Sequence, residues 1–125
     1  MTIYRYSVSL STVFDSMRKQ WLHGFLDLSL LCLLAERRDY GLGLGQRLAE
    51  AGFGDIPGGT LYPSLLRLEK QGLVQTDWET STVGPRRKYF DLTPDGRAAA
   101  AARAAEWREF RAAVDRVAAL AEETA

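Results

Sequence analysis

The stretch Gly58–Val74, GGTLYPSLLRLEKQGLV, decides how the rest of this chain is interpreted. Its leucines recur at steps of four, three and five residues, which marks one apolar stripe of an amphipathic helix: Leu61, Leu65, Leu68 and Leu73. The outward positions are small and polar early and basic later: Thr60, Ser64, Arg67 and Lys70. This profile suits a helix in the major groove of DNA, because slim residues let the backbone approach bases while cations meet phosphates.

Two points about this helix stay open. Most amphipathic helices carry a leucine stripe and a few surface charges, so the segment alone also fits a helix that never touches DNA. The start of the helix is the second point. If Thr60 caps it, Pro63 loses no hydrogen bond, whereas a start at Gly58 makes Pro63 remove one bond and bend the helix. We favour the cap at Thr60. Gly72 suits the left-handed conformation that ends a helix.

A β-hairpin is predicted directly after the helix. Two alternating runs, 73–80 and 86–92, flank a turn marked by Gly84–Pro85. The hairpin carries three consecutive cations: Arg86, Arg87 and Lys88. A basic hairpin beside a helix-turn-helix is typical of a wing, which reaches phosphates or the minor groove. An edge hairpin kept soluble by charge is the plainer alternative.

Two helices are predicted before the recognition helix, over about Lys19–Arg37 and Tyr40–Ala51. The first is apolar on more than one face, which favours a place in the core or between the core and a partner subunit. The second contains three glycines at alternate positions and therefore depends on packing. Residues 1–16 fall outside the pattern, and we interpret them as an N-terminal extension, either with a short strand at 3–8 or as a mobile tail.

The last helix is predicted over Pro94–Glu122, with Thr93 as its N-cap. Apolar residues follow at steps of three and four, the seam of a coiled coil: Trp107, Phe110, Val114, Val117 and Ala121. A lone helix of about 40 Å cannot bury this seam against a small domain. We therefore predict a homodimer held together by the seam, with paired recognition helices on a two-fold DNA site.

Composition argues against several classes of function. The chain has one Cys and one His, too few for an intrachain disulfide, a metal site of such ligands or a catalytic triad. We therefore expect no enzyme, no metal and no cofactor, and we expect Cys32 in the core. Because 16 basic and 16 acidic residues give zero net charge, affinity for DNA must come from local clusters such as Arg18–Lys19. No signal peptide or bilayer-spanning run is visible, which predicts a cytoplasmic protein.

Three segments resemble PadR-type transcriptional regulators of the short kind, which have a single C-terminal helix. They are RKQWLHGFLDLSLLCLLAE at 18–36, GTLYPSLLRLEKQGLV at 59–74 and GPRRKYFDLTPDGR at 84–97. The resemblance implies a mainly α fold with a small β-hairpin, namely a winged helix-turn-helix at 17–93 followed by a dimerisation helix at 94–125. It also implies a repressor, which in some members leaves DNA when a small aromatic or hydrophobic molecule binds between the subunits.

The candidate DNA-binding residues come from three places. They are Thr60, Tyr62, Pro63, Ser64, Arg67 and Lys70 on the helix, Arg86, Arg87 and Lys88 on the wing, and Arg18, Lys19 and Tyr40 before them. Trp107 and Phe110 are the candidate effector contacts that the resemblance implies, although dimer packing alone is the favoured role of Trp107. The alternative function, which the neutral net charge supports, is a protein-interaction module that dimerises without reading DNA.

Overall fold

The computed structural model describes the backbone of residues 10–80 and 83–124, with side chains from Trp21 onward except His23. In chain order the elements are α1 (Leu10–Glu36), β1 (Asp39–Tyr40), α2 (Gly41–Leu48), α3 (Gly58–Lys70), β2 (Val74–Glu79), β3 (Arg87–Leu92) and α4 (Pro94–Thr124). A π-helical turn, Ala49–Phe53, continues α2. Within these ranges no helix combines the length and the apolarity needed to cross a membrane.

The fold is mainly α with a small antiparallel sheet, as the sequence predicts. The strand order is β1-β3-β2, and the predicted hairpin pairs Val74 with Leu92 at its base. The two-residue strand β1 is an addition to the prediction, and it pairs Tyr40 with Tyr89. Because β1 leads directly into α2, this pairing fixes the start of α2 against the hairpin.

Leucines from three helices form the core. The fully buried ones are Leu30, Leu31 and Leu34 of α1, Leu44 and Leu48 of α2, and Leu65 and Leu68 of α3. The hairpin closes the core with Val74, Phe90 and Leu92. Burying each leucine stabilises the fold by about 1.5–3 kcal/mol relative to leaving it in water. The apolar stripe predicted on α3 is confirmed for Leu61, Leu65 and Leu68, whereas Leu73 lies beyond the end of the helix. This stripe determines which side of α3 faces outward.

The first helix starts earlier than we predicted. It begins at Leu10 rather than near Lys19, so residues 10–16 of the predicted extension are helical. The signal was present in the sequence, because the apolar residues at 10, 13, 14 and 17 follow the spacing of one helix face, and sequence reasoning missed it. The strand or tail expected at 3–8 lies outside the described residues.

The recognition helix also starts earlier than we favoured. It begins at Gly58, and the carbonyl of Pro57 accepts hydrogen bonds from the amides of Thr60 (2.9 Å) and Leu61 (3.0 Å). The cap at Thr60 is therefore wrong, because these backbone bonds already close the first turn. Pro63 lies inside the helix, where its ring nitrogen cannot donate to the carbonyl of Gly59.

Cys32 is exposed, so the expectation that it lies in the core is wrong. The run around it is apolar on every side, but only the side with Leu30, Leu31 and Leu34 faces the core. Its thiol is nevertheless partly shielded from water. This burial raises the pKa of the Cys32 thiol, and the charge of Arg108 on α4 opposes the rise.

Thr93 caps α4 as the sequence predicts, and it also ties the start of α4 to the segment that follows α3. The Thr93 hydroxyl accepts a hydrogen bond from the Gly96 amide at 3.0 Å and donates one to the Gly72 carbonyl at 2.7 Å. The Thr93 amide donates to the Leu73 carbonyl at 3.1 Å. Gly72 has a φ of 77°, the left-handed conformation expected at a helix end. Gly96 lies so close to this junction that a Cβ there would collide with the Leu73 carbonyl.

Gly96→Ala should therefore destabilise the protein by about 1–3 kcal/mol, because the backbone of the junction must shift to admit the methyl group. The free energy of unfolding, measured in urea, checks this. Gly59→Ala is the matched control, since a Cβ at Gly59 meets open space and alanine favours helix. A Gly96→Ala protein as stable as the unmodified one would contradict the packing.

Candidate nucleic-acid interface

A cleft of about 510 Å³ lies between the recognition helix α3 and the hairpin. We call it the helix–wing cleft. Besides the buried Phe90, its aromatic and basic lining consists of Tyr40, Tyr62, Trp78, Arg86, Arg87 and Lys88. Five of these six are residues that the sequence assigns to DNA binding. The structure therefore brings together, on one surface, candidates that come from three separate parts of the chain.

The two wing arginines lie over aromatic rings that line the cleft. The guanidinium of Arg87 is 4.6 Å from the ring centroid of Tyr40, and that of Arg86 is 5.2 Å from the ring centroid of Trp78. Such cation–π contacts contribute about 0.5–1 kcal/mol at exposed sites. They also hold both cations on the side of the hairpin that faces α3.

Tyr62 projects from the first turns of α3 into the cleft, and half of its surface is exposed (50%). Its ring lies directly over Gly41, where any Cβ would collide with it. A side chain at Gly41, the first residue of α2, would therefore have to displace the Tyr62 ring. Thr60 and Pro63 are exposed on the same end of α3, which agrees with the predicted outward face.

The prediction that Ser64 lies on the outward face is wrong, because its exposed fraction is only 3%. Ser64 follows Leu61 by three residues and precedes Leu68 by four, which is the spacing of the buried stripe itself. The Ser64 hydroxyl accepts a hydrogen bond from Nη2 of Arg67 at 3.0 Å. The buried oxygen is thus paired inside the protein.

Arg67 forms a two-point contact with a carboxylate of the same chain. Its Nε and Nη2 atoms lie 3.2 Å and 2.9 Å from the two carboxylate oxygens of Asp27 on α1. The hydrogen bond and charge of Asp27 raise the pKa of Arg67 further above its usual value. The residue predicted to read DNA from the middle of α3 is therefore held against α1.

Two further predicted lysines lie at the edges of this surface. Lys70 is exposed at the last turn of α3, and Lys88 lies 5.5 Å from the ring centroid of Phe90 in the cleft. The side chains of Arg18 and Lys19 lie outside the described residues, so their contact with DNA stays a prediction.

Sequence reasoning missed Trp78, which is 53% exposed in β2 and lines the cleft. The sequence carries no signal that singles it out, because the exposure of Trp78 is visible only in the folded chain. The alternation of the strand alone could not identify the side that faces α3. That choice depends on how the hairpin packs on the helices.

Sequence reasoning also missed Arg47, which joins α2 to the end of α1. Its side chain is 10% exposed, and its Nη1 lies 3.2 Å from the buried carboxylate of Asp39. Its Nη2 donates to the Leu33 carbonyl and to the Glu36 carboxylate, both at 2.9 Å. The Tyr40 amide donates to Asp39 at 2.9 Å. This cluster fixes the backbone of Tyr40 at the mouth of the cleft.

The predicted dimerisation seam lies on α4, far along the helix from its N-cap. Trp107 is half-buried against Phe25 of α1, with ring centroids 4.7 Å apart. The remainder of the seam is exposed in the single chain: Phe110, Val114, Val117 and Ala121. Leu120 adds to this exposed apolar surface. In the described part of the chain no cluster of three or more His, Cys, Asp or Glu side chains could hold a metal ion.

A core of three helices, with α3 packed beside a basic hairpin, defines a winged helix-turn-helix protein. Residues 30–102 match the sequence model of the "Transcriptional regulator PadR-like family", which covers more than half of the chain. This chain therefore belongs to the PadR-like family of transcriptional regulators. The members of this family are regulators rather than enzymes.

Individual relatives agree with this assignment. The chain is 39% identical over 72 residues to the transcriptional regulator Rv3488 of Mycobacterium tuberculosis, which is 58% of this chain and 65% of that protein. A PadR family transcriptional regulator from Eggerthella lenta superposes with a TM-score of 0.74 at 31% identity, covering 86% of this chain and 93% of that one. A Streptococcus transcriptional regulator superposes with a TM-score of 0.70 at 36% identity, covering 78% and 96%.

Arg47→Leu should cost about 3 kcal/mol or more of unfolding free energy, because it leaves the buried carboxylate of Asp39 without its cation. Urea unfolding measures the loss. Arg37→Leu is the matched control, since Arg37 makes an exposed pair with Glu36 that is worth about 1 kcal/mol at most. Equal losses in the two variants would contradict a structural role specific to Arg47.

Proposed function

We propose that this protein is a transcriptional repressor that binds a two-fold DNA site as a homodimer. The observation that carries the proposal is the helix–wing cleft, where exposed residues of α3 face cations of the hairpin in a member of the PadR-like family. The exposed start of α3 enters the major groove, and the wing meets the adjoining phosphates. We propose repression rather than activation because the resemblance to PadR-type regulators implies a repressor.

The described contacts change the set of residues proposed to touch DNA. Tyr62, with Thr60 and Pro63, presents the end of α3, while Arg86, Arg87 and Lys88 supply positive charge from the wing. Trp78 joins them, because its exposed ring lies in the same cleft. Ser64 is removed because it is buried.

A homodimer is supported by apolar surface that a single chain leaves in water. The seam of α4 keeps Phe110, Val114 and Val117 exposed along one line of the helix. Contiguous exposed apolar surface on a soluble protein marks an interaction site. A second copy of α4, packed along the same seam, would cover it and would also set the spacing of two recognition helices.

A small aromatic or hydrophobic effector at this interface is the second part of the proposal. Trp107 and Phe110 form the aromatic surface, with ring centroids 6.3 Å apart. The ring of Trp107 already has an intrachain partner in Phe25, which supports packing as its first role. A flat ligand would use the ring faces that remain exposed toward the partner subunit.

Arg87→Ala should weaken binding to every DNA sequence and reduce the salt dependence of log Kd by about one, because one phosphate contact is lost. Fluorescence anisotropy with a duplex from the promoter region of the protein's own gene, titrated at several salt concentrations, measures both. Arg38→Ala is the matched control. Arg38 lies over Tyr89 and pairs with Glu79, outside the cleft lining.

An unchanged salt dependence in Arg87→Ala would contradict the role of the wing. If the unmodified protein fails to bind such DNA even at low salt, the protein-interaction module becomes the better assignment. The zero net charge favours that module, whereas the clustering of cations in the cleft favours DNA.

Val117→Glu should convert the dimer to a monomer at micromolar concentration, because two like charges would face each other across the apolar seam. Analytical ultracentrifugation measures the mass. Ala112→Glu introduces the same residue on the other side of α4 and should leave the dimer intact. A protein that is monomeric before any substitution would contradict the proposed assembly.

A further inference from the structure

Helix α1 lies between the recognition helix and the dimerisation helix and contacts both through nearby residues. Phe25 packs on Trp107 of α4, with ring centroids 4.7 Å apart. Two residues later, Asp27 accepts the two-point contact from Arg67 of α3. Residues two apart project to opposite sides of a helix, so α1 has one side against α4 and the other against α3.

The guanidinium of Arg67 is held from two directions. Asp27 binds Nε and Nη2 from α1, and the buried Ser64 hydroxyl accepts from the same Nη2 within α3. A planar guanidinium that makes a two-point contact with a carboxylate is fixed in angle as well as distance. The contact therefore constrains the rotation of α3 relative to α1.

We propose that Asp27 and Arg67 form a latch that sets the orientation of the recognition helix, so that Arg67 is a positioning residue and not a base-reading one. The proposal rests on the proposed DNA-binding function and deepens it. Ser64 belongs to the latch, which accounts for a buried serine in a stripe of leucines. DNA contact is left to the exposed residues of α3, Lys70 included, and to the wing.

The charge of Asp27 distinguishes a latch from a DNA-contacting arginine. A carboxylate beside Arg67 cancels most of the attraction that this cation exerts on phosphate. If Arg67 contacted DNA, removing the charge of Asp27 would release the cation and strengthen binding. If Arg67 positions the helix, removing either partner weakens discrimination between DNA sites to a similar extent.

The test compares Asp27→Asn, Arg67→Gln, the double variant, and the exchanged pair in which Asp27→Arg is combined with Arg67→Asp. Affinity for the operator-containing duplex and for a scrambled duplex is measured over a range of salt. Discrimination is the affinity for the operator-containing duplex divided by the affinity for the scrambled duplex. In each single variant this ratio should fall about three-fold to ten-fold. In the double variant the ratio should fall no further than in either single variant, and the exchanged pair should recover part of it. The salt dependence of DNA binding should stay unchanged in all four proteins.

Lys70→Gln is the control for the assay, because Lys70 is an exposed cation on the same helix. It should reduce the salt dependence by about one without changing the ratio. Tighter DNA binding by Asp27→Asn would overturn the latch. The latch would also be overturned if the ratio fell in Arg67→Gln but not in Asp27→Asn, or if DNA binding by Arg67→Gln depended less on salt.

A second readout does not depend on DNA. In the unmodified protein, amide hydrogen exchange of α3 should be slower than in Asp27→Asn, while β3 amides exchange equally in both. Unchanged protection of α3 in Asp27→Asn would overturn the latch even if DNA binding fails. Failure of the unmodified protein to bind the operator duplex would instead overturn the proposed function.

Discussion

The packing of leucines from α1, α2 and α3 is the constraint on which the rest of the structure depends. Leu65 and Leu68 are fully buried between the other two helices, and this burial determines which face of α3 points away from the core. The exposed end of α3, with Tyr62, then faces the hairpin across the helix–wing cleft. Gly41 leaves room for the Tyr62 ring, which any side chain at that position would have to displace. A packing requirement in the core thus determines which residues of α3 are presented outward.

Internal ion pairs explain how a chain without net charge presents a basic surface. Arg47 pairs with Glu36 and Asp39, and Arg67 pairs with Asp27. These pairs join neighbouring helices, and the charges of their three acids are balanced by Arg47 and Arg67 rather than by the arginines of the wing. The arginines of the wing instead lie over aromatic rings, which orient them without neutralising their charge. Three cations and one acid, Glu69, line the cleft, so its lining is basic although the charges of the whole chain balance. Affinity for DNA would depend on this local distribution.

The seam of α4 has the opposite character, since it carries apolar residues that the single chain does not cover. Its first member, Trp107, packs on Phe25 of α1. The same α1 helix carries Asp27, which holds Arg67. One helix therefore contacts both the surface proposed for dimerisation and the helix proposed to read DNA. The apolar faces of α1 already predict a place beside the core or a partner subunit, and the contact of Asp27 with Arg67 adds a polar link to α3.

The sequence by itself determined the order of the helices, the hairpin, the buried stripe of α3 and the cap at Thr93, because local periodicity and cap chemistry repeat within a few residues. The same spacing already places Ser64 in the stripe. Only the tertiary structure decided that α3 starts at Gly58, that Trp78 faces the cleft, and that Arg67 binds Asp27. Asp27 and Arg67 are 40 positions apart in the chain. Side chains this distant become neighbours only after the helices pack, so no local pattern could pair them.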